Sequence, residues 1–192
     1  METQTKNLLI YLILPLFLLT TVILIADYQI KPDFRLRAHF FDNFTLVRTY
    51  TGQKVIIDGG PDDKILSQVG SDLPFFDHTI DLLILTKVDS AHVTGLVDIL
   101  KRYKVKMVLI PPSDANLAAY WEFLDLVEQN HVKKVFLNAG QRLWLDNATV
   151  FDVLAVDPFS AKLTFGKTQF LFPDTQDHNV ELVSDGSQLV KK

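Results

Sequence analysis

The first feature of the chain is an apolar segment from Leu8 to Ala26 that contains no charged residue. As a helix rising ~1.5 Å per residue it would span roughly 29 Å, close to the ~30 Å hydrocarbon core of a bilayer. A cleavable signal peptide is the alternative, but its apolar region is usually shorter and it ends in small residues, whereas the bulky Leu24 precedes Ala26 here. The segment therefore predicts an uncleaved single-pass anchor, with the membrane as a partner.

The charges beside this segment favour one orientation. Lys6 stands alone before it, while Lys31, Arg35 and Arg37 follow it. Because positive charges are retained on the cytoplasmic side of a membrane, this pattern favours a cytoplasmic position for the rest of the chain.

Beyond the anchor, apolar residues recur at the spacings of strands and helices. The run Leu82–Leu85 is apolar throughout, which is typical of a strand buried on both faces. Helical spacing covers residues 93–103 and 117–127, and Ser113 or Asp114 is predicted to cap the second of these helices. The predicted strands are Leu36–Phe41, Phe44–Tyr50, Lys54–Asp58, Asp81–Thr86, Lys106–Ile110, Lys134–Leu137, Arg142–Leu145, Thr149–Val156, Lys162–Phe165, Gln169–Phe172 and Val180–Val183.

The order of these elements predicts one α/β domain. Strands alternate with helical crossovers in its first half and follow one another as a meander in its second, which indicates sheet layers covered by helices. The predicted organisation is a tail (1–7), the anchor (8–26), a linker (27–35) and the domain (36–192).

Composition narrows the classes of function. With 48% apolar residues the chain can bury a core, and a net charge of −4 without a basic stripe gives no support to nucleic-acid binding. The absence of cysteine excludes disulfides, thiolate catalysis and cysteine-ligated zinc. Any metal would have to be held by histidine and carboxylate groups.

The candidate chemistry lies between Val55 and Leu96. One strand ends in Asp58-Gly59-Gly60, and the buried strand ends at Thr86; the loop Lys87-Val88-Asp89-Ser90-Ala91-His92 then leads into a helix. This layout closely resembles the metallo-β-lactamase superfamily, and most of all the soluble domain of the ComEC/Rec2 competence proteins and their free-standing relatives. The resemblance implies an αββα sandwich.

In that family the loop after the buried strand reads His-x-His-x-Asp-His and holds two metal ions, which activate water. In this chain Lys87, Asp89 and Ala91 stand at the first three of those positions, and only His92 is retained. A protonated lysine has no lone pair to offer and repels a cation, and alanine offers no ligand at all. The loop therefore predicts a degenerate metal site.

The resemblance continues to about Ser187, where relatives extend by a further strand and helix. Asp174 matches the family's metal-bridging aspartate, and Asp185 lies in a segment whose family counterpart carries two histidines that are replaced here. The full fold prediction is thus an α/β chain: a C-terminally truncated αββα metallo-β-lactamase-like sandwich behind one N-terminal transmembrane helix.

Several of these residues have a second interpretation. His92 is either a surviving zinc ligand or, as we favour, a helix-start residue bonded to neighbouring backbone. Asp58 either helps Asp89 and Asp174 to hold Mg²⁺ or Mn²⁺ weakly or, as we favour, accepts hydrogen bonds from backbone amides of the loop at residues 87–92. Lys87 beside Asp89 is a candidate ion pair filling the emptied site. The two tryptophans, Trp121 and Trp144, are predicted to be core aromatics.

These observations lead to a functional hypothesis. We predict no catalytic residue and no bound cofactor beyond weak residual zinc or manganese, in a membrane-anchored ComEC-like domain that binds an unidentified protein partner or acts as a scaffold. The alternative is a phosphodiesterase-like hydrolase with a rebuilt or mononuclear metal site. The family resemblance favours an extracytoplasmic domain, against the charge pattern.

Overall fold

Two β-sheets and three helices form the domain after residue 35 in the computed structural model, which describes residues 13–23, 35–74, 76–173 and 180–191. Before the domain, residues 13–23 are helical (α1) and belong to a separate unit. The domain's elements are β1 (Leu36–Phe40), β2 (Thr45–Arg48), β3 (Lys54–Ile57), α2 (Lys64–Asp72), β4 (Thr79–Ile84), α3 (Ser90–Arg102), β5 (Lys104–Ile110), α4 (Ala118–Gln129), β6 (Lys133–Phe136), β7 (Arg142–Trp144), β8 (Thr149–Val156), β9 (Phe159–Phe165), β10 (Thr168–Phe172), β11 (Val180–Ser184) and β12 (Leu189–Lys191).

The larger sheet has eight strands in the order β12-β11-β1-β2-β3-β4-β5-β6. Strands β3 to β6 are parallel and are joined by α2, α3 and α4, whereas the pairs from β12 to β3 are antiparallel. The parallel part is apolar on both faces because helices cover one side and the second sheet covers the other. Ile56 and Leu83 pack towards the helices, and Val55 and Leu82 pack towards the second sheet. The predicted interior position of the Leu82–Leu85 strand is thereby confirmed.

The smaller sheet has four antiparallel strands in the order β10-β9-β8-β7. Its inner face closes the second core, while its outer side chains are open to solvent: Trp144 is 67% exposed and Leu171 is 60% exposed. Arg142 and Asp152 pair across this outer face at 2.6 Å. Since α2, α3 and α4 all pack on the larger sheet, the described residues of the domain form three layers, and the fourth layer of the predicted αββα sandwich is not among them.

Other sequence-based expectations need correction. Trp121 and Trp144 are not core residues, because both lie on outer faces with more than half of their surface exposed. The helix α4 has Leu117 at its N-cap, without a side-chain cap, so neither Ser113 nor Asp114 caps it. Two short elements, α2 and β12, were not predicted.

The predicted anchor Leu8–Ala26 is not supported. Of this segment, the structure describes residues 13–23, which are helical, and the remainder lies outside the described residues. No helix in the described ranges is both long and apolar enough to cross a membrane.

Candidate functional site

A cleft of about 840 Å³ lies where the loops after the parallel strands β3, β4 and β5 meet. The carboxyl ends of parallel strands are the usual place for ligand sites in α/β proteins, because successive crossover loops converge there. Its walls come from seven segments of the chain: Phe40–Thr45, Ile57–Asp58, Thr86–Val88, Ala91–His92, Pro111–Ser113, Val156–Phe159 and Phe172–Pro173. The cleft therefore includes the loop whose sequence suggested a lost metal site.

Asp58 forms part of the floor of this cleft. It has a left-handed backbone (φ 62°), which aspartate tolerates better than most residues. Its carboxylate accepts hydrogen bonds from the backbone amide of Thr86 at 2.8 Å and from the Thr86 hydroxyl at 2.7 Å. We expected amides of residues 87–92 as partners; the donor is the residue directly before them. Burial raises the pKa of Asp58 to about 6, although the Thr86 bonds and nearby His92 act in the opposite direction.

The carboxylate of Asp89 bonds to both Lys87 and His92. One carboxylate oxygen pairs with Nδ1 of His92, and the other lies 3.0 Å from Nζ of Lys87. Partial burial acts to raise the pKa of Asp89, but the hydrogen bonds from His92 and Lys87 outweigh it and hold that pKa below its usual value. His92 is thus bound to a carboxylate side chain and not, as we expected, to backbone.

The structure brings only some of the predicted site residues together. Asp58, Asp89 and His92 are close enough to influence one another electrostatically, and Lys87 and Ala91 line the same cleft. Asp185 lies elsewhere and accepts hydrogen bonds from the amides of Ser187 and Gln188. Asp174 falls outside the described residues. Within the ranges that are described, no three His, Cys, Asp or Glu side chains are arranged to hold a metal ion.

Backbone contacts fix the first turns of α3, directly after the loop that leaves β4. The amide of Gly59 donates to the carbonyl of His92 at 2.7 Å, and the amide of Gly95 donates to the carbonyl of Gly60 at 3.0 Å. The two chains approach so closely that a Cβ on Gly95 would overlap the Gly59 carbonyl oxygen, and one on Gly59 would overlap the Leu96 amide nitrogen. Glycine at both positions is what allows the start of α3 to rest on the end of β3.

Sequence reasoning missed several residues of the site. Thr86 was treated only as the end of a strand. A hydroxyl directly after the apolar run Leu82–Leu85 is nevertheless a signal for a hydrogen-bond partner at the same sheet edge. The walls formed by Phe41 and Phe159 were also missed. Phe41 lies in the loop between β1 and β2, and Phe159 begins β9, so only the folded sheets bring the two side chains to the cleft.

Replacing Asp58 with asparagine is expected to change how stability depends on pH. A carboxyl whose pKa rises from 3.8 to about 6 on folding binds its proton more tightly in the native state, so its contribution is most favourable at low pH and is lost between about pH 4 and pH 6. The shift corresponds to about 3 kcal/mol. We expect Asp58→Asn to be more stable than the wild type near pH 8 and to lose that advantage near pH 4.

Urea unfolding at both pH values measures this difference, with Asp125→Asn on the exposed side of α4 as a matched control. Equal destabilisation of Asp58→Asn at both pH values would contradict this expectation. It would show that the hydrogen bonds from Thr86 to the two carboxylate oxygens stabilise the fold by more than burial of the charge costs.

Comparison with known proteins identifies the fold. No protein-family model matches the chain, and no curated protein sequence does. Among solved structures, zinc-bound PqqB from Methylobacterium extorquens is similar over 67% of this chain and 47% of its own, with 15% identity and a TM-score of 0.50. The metallo-β-lactamase-fold protein YhfI from Bacillus subtilis matches over 81% of this chain and 61% of its own, with 15% identity and a TM-score of 0.45.

The similarity to PqqB shows the fold alone, and it agrees with the predicted mixed α/β sheet sandwich. The chain spans about half the length of PqqB, at 47% of that protein. Neither match concerns the ComEC/Rec2 proteins, so that narrower resemblance stays a prediction.

Proposed function

We propose that this metallo-β-lactamase-fold domain uses its cleft to bind a ligand or partner and carries out no metal-dependent hydrolysis. The observation that carries the proposal is the Lys87–Asp89 ion pair, with 3.0 Å between Nζ and the carboxylate, at two positions where the family has metal-ligating histidines. A lysine ammonium at this place supplies positive charge without a lone pair, so it substitutes for a cation and does not bind one.

The hydrogen bonds around the cleft floor support the same conclusion. Asp58 is engaged by Thr86, and both oxygens of Asp89 are engaged by His92 and Lys87. A zinc ion takes at least three protein ligands, and lowering the pKa of a bound water requires that the ion be held firmly. Among the described residues of the loop and of Asp58, Nε2 of His92 is the ligand atom that a metal could take without first breaking these bonds.

The proposal includes a role for the cleft in a ComEC-like scaffold. It is supported by the order of the residue blocks from Leu36 to Ser187 and by a cleft volume of about 840 Å³, which is within the usual ~300–1,000 Å³ range of ligand pockets. Such a domain would recognise a partner group in the cleft while leaving it chemically unchanged.

A rebuilt mononuclear metal site is the second candidate. It is favoured by one observation, which is that Asp58, Asp89 and His92 influence one another at the same end of the sheet. For this site to form, Lys87 would have to leave Asp89, and the carboxylate of Asp58 would have to turn from Thr86.

Metal titration of the purified chain separates the two candidates. We expect zinc and manganese to bind no more tightly than weakly, and His92→Gln to bind as the control His131→Gln does. We also expect no metal-dependent turnover of a phosphodiester or a β-lactam above background. Stoichiometric metal that disappears in His92→Gln, together with zinc-dependent turnover, would establish the hydrolase instead.

A further inference from the structure

The residues that line the cleft include one lysine or arginine, Lys87, and the three carboxylates of Asp42, Asp58 and Asp157. Lys87 is the cleft's basic side chain, and its ammonium is already neutralised by Asp89 at 3.0 Å. Asp58 lies on the floor and receives hydrogen bonds from Thr86 but no ion pair. Asp157 lies exposed at the rim, and no cation in the described part of the chain pairs with it. Asp58 and Asp157 therefore give the cleft negative charge that no described cation pairs with.

The remaining walls are largely apolar. Phe159 and Val88 are half-buried in the lining of the cleft, and Pro111, which is buried, and Pro158, which is exposed, also line it. Apolar walls with a small number of charged groups are typical of sites for small organic molecules, in which the walls supply affinity and the charges supply selectivity.

We propose that the cleft selects a small organic ammonium ligand, whose apolar body contacts Phe159 and Pro111 and whose charge is attracted by the carboxylates of Asp58 and Asp157. This inference rests on the proposed binding function of the cleft. It reverses the electrostatic preference of a metal-filled site, because a metal pair attracts anions, whereas a lysine tied to an aspartate leaves the neighbouring carboxylates unopposed.

Three probes that share one apolar body and differ in charge test this selectivity. Phenylethylamine is cationic at neutral pH, phenylethanol is neutral and phenylacetate is anionic. Each is titrated into the purified full chain, and binding is followed by calorimetry or by ligand-observed NMR. We expect the amine to bind about tenfold more tightly than the alcohol, as one charge-assisted hydrogen bond would give, and the carboxylate to bind more weakly than either.

Variants assign this selectivity to particular carboxylates. Asp157→Asn is the primary variant, because the residue is exposed and its replacement leaves the core intact. We expect it to weaken amine binding about threefold to tenfold and to leave alcohol binding unchanged. Asp58→Asn is expected to do the same, and Asp125→Asn on α4 is expected to change neither.

The outcomes distinguish this inference from the function on which it depends. Equal binding of all three probes, or preference for the carboxylate, overturns the ammonium assignment while leaving the cleft as a binding site. Failure of all three probes to bind at millimolar concentration overturns the small-ligand cleft itself. If Asp157→Asn and Asp58→Asn both still bind phenylethylamine more tightly than phenylethanol, the ammonium group of the amine binds elsewhere on the protein.

Discussion

The combined substitutions Lys87→His, Asp89→His and Ala91→Asp are expected to raise zinc affinity by about a thousandfold or more. Together with His92 they restore the His-x-His-x-Asp-His spacing of the metallo-β-lactamase loop that this sequence resembles. The triple variant also removes the ammonium of Lys87 and frees the ring of His92 from Asp89. The start of α3, which carries Ala91 and His92, needs little rearrangement, because its backbone is held by Gly59 and Gly60 independently of those side chains.

Competition with a chromophoric zinc chelator measures the change. Lys87→Gln is the matched control, since it removes the positive charge without adding a ligand, and we expect it to improve zinc binding by less than about tenfold. If the triple variant binds zinc no better than Lys87→Gln, the loop has been remodelled beyond the family's geometry. A large gain in Lys87→Gln alone would mean that Asp58, Asp89 and His92 already form a site which only the lysine blocks.

Replacing Gly95 with alanine is expected to lower the free energy of unfolding by about 3 kcal/mol or more. The added methyl group would overlap the carbonyl oxygen of Gly59, so α3 must move away from the end of β3. That movement also breaks the hydrogen bonds that Gly59 and Gly95 make at this contact. Chemical denaturation monitored by circular dichroism gives the change.

Gly70→Ala provides the matched control. Gly70 lies in α2, where a Cβ would meet only the Tyr103 hydroxyl at 3.9 Å, an ordinary contact. Alanine is the better helix former, so this variant is expected to gain about 0.5–1 kcal/mol. Similar stability of Gly95→Ala and the wild type would contradict the close approach of the two backbones.

The elements that were predictable from the sequence are those whose periodicity is produced by burial. Leu83 and its apolar neighbours specify β4, and the spacing of Val93, Leu96 and Leu100 specifies α3, because both elements are covered on the faces that the pattern marks. In contrast, β12 is exposed at every position, so no alternation could reveal it. Helix α2 did carry a signal in the spacing of Ile65 and Val69.

The tryptophans and the cleft show where pattern reasoning ends. Trp144 is strongly hydrophobic, but it lies on the open face of the smaller sheet, where no helix of the domain's described residues packs. The sequence of a strand does not indicate whether another layer will cover each of its faces. In the cleft, the predicted hydrogen-bond donors to Asp58 were the amides of residues 87–92, and the observed donor is Thr86, one residue earlier. The prediction came close because neighbouring parallel strands end at the same edge of the sheet. The bond between His92 and Asp89 was missed, although their separation by three residues at the start of a helix brings such side chains together.

The position of β1 between β2 and β11 has a kinetic consequence. Leu36 pairs with Ser184, and Arg37 reaches Glu181 at 3.2 Å, so the sheet joins segments from opposite ends of the domain's sequence. Closing so long a loop is slow, and domains dominated by such distant pairings fold in about milliseconds to seconds. During synthesis the segment Val180–Ser184 leaves the ribosome long after β1, β2 and β3. Until it arrives, the outer edge of β1 stays open to pairing with other chains, and a newly made molecule is most prone to aggregate in that interval.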